Sequence, residues 1–247
     1  MSEWVQGTVV ENIHWTDNLF SLRINAAIED FKAGQFTSLG LDIDGERIAR
    51  PYSFLNAPGK QPLEFFFYTA IDGVLSNAML ALKPGDEIFV KRHANGFFTL
   101  DEVPSAPTLW LLGTGTGIAP FFSMLQTEEP WQRFDRVVLV HAVRKNSDLR
   151  YREIITSLQE KHGERFKFQA FVSREEVSGS IKGRIPDAIA SGELEHRTGL
   201  VISADDSQFM LCGNPDMVSD TSTALKARGL SKNLRRKPGQ ITVEKYW

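Results

Sequence analysis

The stretch Leu109-Trp110-Leu111-Leu112-Gly113-Thr114-Gly115-Thr116-Gly117 limits the fold more than any other part of the chain. An apolar run of strand length ends in three alternate glycines, and residues 118–126 then continue with helical apolar spacing. Pro120 falls in the first turn of that helix, where a missing N–H costs nothing. A strand that turns through glycines into a helix opens a βα unit. At such a turn a nucleotide phosphate can meet free backbone N–H groups and the positive helix end. The common dinucleotide fingerprint wants its third glycine where this chain has Ile118. The G-x-G-x-G spacing alone therefore fits either a phosphate loop or an unliganded tight turn.

The rhythm on the two sides of this stretch differs. Residues 7–12, 19–24, 35–41, 48–55, 63–69 and 87–90 are short runs rich in Val, Ile, Phe, Tyr and Thr. Turn chemistry such as Asp42-Ile43-Asp44-Gly45 and Lys83-Pro84-Gly85-Asp86 separates them. One helical patch, residues 76–82, interrupts the series. Six strands at this spacing predict a small antiparallel β-barrel. Beyond the two prolines Pro104 and Pro107, strands (109–112, 137–143, 166–172, 208–211) alternate with helices (118–126, 151–161, 185–191, 217–228). Such alternation predicts an α/β domain with a parallel sheet, closed by a last strand at 240–243. The expected fold class is thus two domains, a six-stranded antiparallel β-barrel over 1–100 and an α/β domain over 106–247, joined by a linker within 95–107.

Composition excludes several function classes. With 42% hydrophobic and 24% charged residues the chain can bury a sizeable core, and a net charge of −3 gives no field for nucleic acid or membrane. No apolar run is long enough to span a bilayer, and the first residues lack the pattern of a signal peptide, so the expected location is cytoplasmic. A single cysteine, Cys212, rules out an internal disulfide and any four-cysteine cluster. His14, His93, His141, His162 and His196 show no metal-ligand spacing, so no metal is expected.

The ends of the later strands refine the nucleotide reading. A site for NAD usually places an acidic residue at the end of the second strand, to hold the ribose hydroxyls. Here that strand ends Val143-Arg144, the third ends Ser173-Arg174, and Arg184 stands in the turn beyond. Guanidinium groups suit phosphate oxygens and are poor partners for a bare ribose. The placement favours a 2′-phosphorylated nucleotide, NADP over NAD. In the first half, Arg50 and Tyr52 share one strand face, but an edge strand with an outward tyrosine would look the same.

Five segments in fixed order carry a resemblance. They are Arg50-Pro51-Tyr52-Ser53, Gly73-Val74-Leu75-Ser76, Gly113 through Pro120, Leu211-Cys212-Gly213-Asn214-Pro215-Asp216-Met217, and Val243-Glu244-Lys245-Tyr246-Trp247. Together they resemble the ferredoxin–NADP reductase superfamily, closest to its bacterial ferredoxin (or flavodoxin)–NADP reductases, over essentially the whole chain. The resemblance implies FAD on the barrel, NADP(H) on the α/β half, and the nicotinamide meeting the flavin at the domain seam. It implies that Arg50 pairs the FAD pyrophosphate beside Pro51, that Tyr52 stacks on the isoalloxazine and that Ser53 lies near N5. It further implies that Val74, Leu75 and Ser76 offer N–H groups to the flavin phosphates, and that Phe66, Phe67 and Tyr68 run along the cofactor.

Thr116 would face both cofactors. Gly115, Val143, Arg144, Ser173, Arg174, Arg184, Cys212 and Asn214 would form the NADP side. By the same resemblance Ser53, Cys212, Glu244 and Tyr246 serve the chemistry, with Glu244 relaying a proton to Ser53. Tyr246 would cover the isoalloxazine and Trp247 the adenine of a folded-back FAD, a departure from the single terminal tyrosine of the plant type. The expected partner is ferredoxin or flavodoxin, and the basic cluster Lys232, Arg235, Arg236 and Lys237 could steer it to a monomeric enzyme. A flavin or quinone reductase of the same fold, or a nucleotide-sensing module without turnover, would share many of these motifs.

Overall fold

The computed structural model describes residues 3–70 and 72–246. They divide into two compact units, Met1–Thr99 with Ala119–Thr127, and Leu100–Ile118 with Glu128–Trp247.

The first unit is built on six strands: β1 (Trp4–His14), β2 (Leu19–Asn25), β3 (Phe36–Ile43), β4 (Glu46–Ser53), β5 (Leu63–Tyr68) and β6 (Glu87–Lys91). They form one sheet in the order β4-β3-β6-β1-β2-β5, and its neighbouring pairs are antiparallel. The sheet curls until its edges meet just past Ser53, where Phe54 bridges Phe65 and Leu55 N–H donates to Glu64 O at 2.9 Å. This is the expected barrel, closed by a single bridge and not by a full ladder.

Period-two alternation turns Phe20, Leu22, Ile24, Leu39, Phe65, Phe67 and Val90 into one apolar cluster, and Phe31 stacks on Phe54 within it at 3.9 Å. Helix α1 (Val74–Leu80) buries Leu75 and Met79. Helix α2 (Ala119–Leu125) belongs to this unit as well. Its Ser123 Oγ donates to Asn56 O at 2.8 Å, Gln126 Nε2 just past it donates to Leu55 O, and Phe121 packs on Phe98.

The second unit carries β7 (Thr108–Thr114), β8 (Arg136–Val143), β9 (Phe166–Val172), β10 (Ser207–Gly213) and β11 (Ile241–Lys245), all parallel, in the order β11-β10-β7-β8-β9. Its helices are α3 (Glu129–Arg133), α4 (Arg152–His162), α5 (Ile185–Ser191), α6 (Glu193–Thr198) and α7 (Pro215–Ala227). β10 is buried along its full length, as a parallel strand covered on both faces should be. Trp110 stacks on Phe209 in the core of this unit. The expected closing strand is present as the edge strand β11. Two short helices, α3 and α6, go beyond the sequence reading. The expected linker is bonded in place: Asn95 N–H donates to Phe36 O, and the Arg133 guanidinium donates to Leu100 O and Val103 O, both at 2.6 Å. No helix of the described residues is long and apolar enough to cross a membrane.

Candidate functional site

Parallel pairing puts five residues in one row across the second unit's sheet: Glu244, Cys212, Gly113, His141 and Ala170. Register partners point to the same face, and the row lies near the carboxyl ends of the strands, where α/β sheets bind ligands. The middle position has no side chain. A Cβ on Gly113 would press on Gly117 O and Ile118 Cα at 3.3 Å, so the glycine loop folds down over the row at that point.

The loop is locked to the Cys212–Asn214 segment. A Cβ on Gly117 would stand 2.6 Å from Gly213 Cα and 2.8 Å from Cys212 O, both backbone atoms. Gly213 has φ +128, and a Cβ there would meet Thr114 Oγ1 at 2.2 Å. That close approach lets Asn214 N–H donate to Thr114 Oγ1 at 2.9 Å. The two glycine motifs thus form one piece of backbone. The Asn214 side chain caps α7, accepting from Asp216 N–H and Met217 N–H. Its amide oxygen is therefore spent within the fold.

Arg144 and Arg174 come together at the ends of β8 and β9, joined by the bond from Arg174 N–H to Arg144 O at 3.0 Å, and Ser173 N–H donates to Val143 O. Arg184 is the N-cap residue of α5. All three arginines are exposed. The two acids that follow Arg174 are engaged elsewhere: Glu175 accepts from Asn146 N–H and Glu176 pairs with Lys182. Among the described residues no ion pair involves Arg144, Arg174 or Arg184, so three guanidinium groups are available to an anion.

At the other end of the row, Cys212 is fully buried. Burial, then the Glu244 carboxyl beside it, push its thiol up well above the usual range, while a hydrogen bond with Tyr246 opposes them. Tyr246 N–H in turn donates to Gly213 O at 3.0 Å. Glu244 Oε1 is buried without a hydrogen-bond partner among the described residues, and burial pushes this carboxyl up to about 7. Trp247 lies outside the described residues.

The raised Glu244 has a stability consequence. The unfolded carboxyl titrates near 4.5 and the folded one near 7, so between those values the folded chain holds the extra proton. Stability is therefore lost as pH rises through this window and stays lost above it. Glu244→Gln removes the charge at nearly constant shape. The variant and the parent chain should melt together below about pH 4.5 and separate by a few degrees by about pH 8, with the variant higher. Circular dichroism melts across that range check this, and a parent chain melting above the variant at high pH would contradict it.

In the first unit, Ser53 is 6% exposed, yet its hydroxyl makes no hydrogen bond with described residues. Tyr52 is half-buried against the edge of Phe67, and burial pushes its phenol up to about 12. Arg50 is exposed and, among the described residues, bonds only the carbonyl of its own neighbour, Ala49. Strand alternation sends Phe67 into the barrel core and leaves Phe66 and Tyr68 on the opposite face. At the start of α1 the N-cap is Gly73 and no side chain caps the N–H groups of Val74, Leu75 and Ser76. The Ser76 hydroxyl is used inside the turn, accepting from Ala70 N–H and donating to Gly73 O.

These features fit the two implied cofactors. A free buried hydroxyl beside a half-buried tyrosine, with an exposed arginine on the same strand, suits a flavin. Free arginines beside a glycine cradle suit a phosphorylated dinucleotide. The residue that sequence reasoning missed is His141. It lies in the same row with its Nε2 against Gly115 O, and its position inside an apolar strand made it look like ordinary core.

Comparison with known proteins agrees with this reading. The family model described as "Oxidoreductase FAD-binding domain" matches residues 8–97, and that described as "Oxidoreductase NAD-binding domain" matches residues 111–223. The flavodoxin/ferredoxin–NADP reductase of Escherichia coli is 50% identical over 248 residues, covering 100% of both chains. The ferredoxin–NADP reductase of Pseudomonas aeruginosa is 36% identical over 99% of this chain and 98% of its own. Among solved structures, a Neisseria gonorrhoeae ferredoxin NADP+ reductase with bound FAD and NADP superposes with TM-score 0.93, at 31% identity and 99% coverage of each chain. The chain belongs to the flavodoxin/ferredoxin–NADP reductase family.

Proposed function

We infer that the chain is a flavoenzyme that passes electrons between NADPH and a one-electron carrier, ferredoxin or flavodoxin, through bound FAD. The observation that carries this reading is the full-length likeness to reductases of that name. When bound, the nicotinamide supplies two electrons as a hydride and the flavin divides them into single steps. The chain's own residues do the rest. Arg50 neutralises the flavin pyrophosphate, with the N–H groups of Val74, Leu75 and Ser76, and Tyr52 covers the ring. Ser53 holds a hydrogen bond at flavin N5, for which its unspent hydroxyl is suited.

Arg174 and Arg184 take the 2′-phosphate, while Arg144 and the glycine loop through Gly115 and Thr116 take the pyrophosphate. Cys212 excludes water beside the nicotinamide. Glu244, titrating near neutrality, can give and take a proton at working pH. Tyr246 and Trp247 cover the flavin and its adenine.

The carrier meets a basic hairpin. Its tip is closed by reciprocal backbone bonds between Leu234 and Lys237, and Asn233 Nδ2 ties it to Glu102 O at 2.6 Å. Arg235 lies 3.7 Å from Glu102, whereas Lys232, Arg236 and Lys237 form no ion pair among the described residues. Such charges steer an acidic carrier. The enzyme works as a cytoplasmic monomer.

The test uses the purified chain. It should take up FAD, be bleached by NADPH and reduce flavodoxin, with carrier reduction falling roughly tenfold or more as salt rises and flavin bleaching unaffected. A chain that takes up no flavin, or whose flavin NADPH does not reduce, overturns the function. Salt-independent carrier reduction overturns the docking surface alone.

A further inference from the structure

His141 is 1% exposed and sits near the carboxyl end of β8, a strand flanked by β7 and β9. Its Nε2 lies 2.9 Å from Gly115 O. A carbonyl only accepts, so Nε2 carries the proton and donates. That leaves Nδ1 as a bare acceptor, and Nδ1 is buried with no partner among the described residues. Burial also holds the imidazole down at about 4, so it is neutral across the working range. A buried imidazole with one nitrogen unpaired costs stability relative to an apolar side chain of similar size. The fold therefore gains little from keeping histidine in the run Val137-Val138-Leu139-Val140-His141.

What the imidazole does hold is the glycine loop. Along the row, Cys212 lies on one side of Gly113 and His141 on the other, and the loop folds down over the gap. On the Cys212 side Gly117 is fixed by backbone contact with Gly213. On the other side, His141 supplies a side-chain hydrogen bond to Gly115, which opens the short 3₁₀ turn Gly115–Ile118 and whose φ of +54 places it in the left-handed region.

We propose that His141 is a positioning residue for pyridine-nucleotide binding: its Nε2–H draws the Gly115 carbonyl down toward the sheet, so that the loop's N–H groups stay turned out to the nucleotide pyrophosphate. The inference rests on the reading of the second unit as the NADP site. It separates His141 from the arginines, which serve the 2′-phosphate at the strand ends.

The test is titration calorimetry of the FAD-loaded chain with NADP+ and with adenosine 2′-monophosphate, which lacks the pyrophosphate. In His141→Leu the Kd for NADP+ should rise about tenfold, the worth of one good hydrogen bond. The Kd for adenosine 2′-monophosphate, the FAD content and the melting temperature should hold. His141→Gln, whose Nε2 reaches the same place, should restore NADP+ affinity to within about threefold, whereas the shorter His141→Asn should not. In steady state the loss in His141→Leu should fall on KM for NADPH more than on kcat.

Equal weakening of both ligands, or an unchanged NADP+ Kd, overturns the proposal. If His141→Leu does not fold, the contrast between the Gln and Asn variants decides, and equal affinities in those two overturn it. Failure of the parent chain to bind NADP+ would overturn the underlying reading itself.

Discussion

Replacing Arg174 with alanine is expected to raise the KM for NADPH by roughly ten- to a hundredfold, since one charge-assisted contact is worth about 1.5–3 kcal/mol. NADH turnover should stay nearly unchanged. The side chain is exposed and makes no contact that the fold needs, so the melting temperature should not move. Arg184→Ala should behave alike, because both groups stand free near the strand ends while Glu175 and Glu176 are occupied by Asn146 and Lys182. Arg144→Ala should weaken both nucleotides, as expected of a contact to the pyrophosphate they share. The ratio of kcat/KM values for NADPH and NADH is the measurement. Equal loss for both nucleotides in the Arg174 variant would remove the 2′-phosphate assignment.

A still larger effect is expected from a single methyl group. In Gly117→Ala the new Cβ would fall 2.6 Å from Gly213 Cα and 2.8 Å from Cys212 O. Neither atom can step aside as a flexible side chain would, so the loop and the end of β10 must part. Overpacking of this kind costs about 1–3 kcal/mol, or roughly 2–12 °C in melting temperature for a chain of this size. Displacing the nucleotide by even a fraction of its working distance should slow flavin reduction by NADPH on the order of a hundredfold. FAD should be largely retained, since Arg50, Tyr52, Ser53 and the N–H groups at the start of α1 belong to the first unit. Stopped-flow reduction together with a flavin spectrum separates the two effects. Normal reduction rates in Gly117→Ala would mean that the close approach has no part in nucleotide placement.

Much of this was legible in the sequence, and the physical reasons are specific. Residues 166–172 and 185–191 were placed at their observed bounds because Val172 and Ser191 are followed by clear breaks, Ser173-Arg174 and Gly192. β10 was expected as 208–211 and runs from Ser207 to Gly213, since a glycine at its end reads as a turn while parallel pairing carries the strand through it. Helices α3 and α6, with five and six residues, are too short to show a period.

At the site, glycines and arginines were visible because their chemistry is local. The register that aligns Glu244, Cys212, Gly113 and His141 was not, because it joins four strands drawn from different parts of the chain. For the same reason His141 read as core. A histidine inside a strand differs from its neighbours only through what it reaches in three dimensions.

The assignment of Ala119–Thr127 to the first unit bears on how such an enzyme can be taken apart and recombined. The segment is encoded between two strands of the second unit, yet it covers the carbonyls of Leu55 and Asn56 and the ring of Phe98. A fragment ending at Thr99 would carry every strand of the curled sheet and still expose that surface. A hybrid joined at residue 100 to the second half of another reductase would inherit a foreign helix against its own first half. Shuffling between relatives should therefore succeed only when residues 119–127 travel with residues 1–99. Substitutions in that helix answer to one unit while being inherited with the other, so the two halves of the gene are bound to drift together.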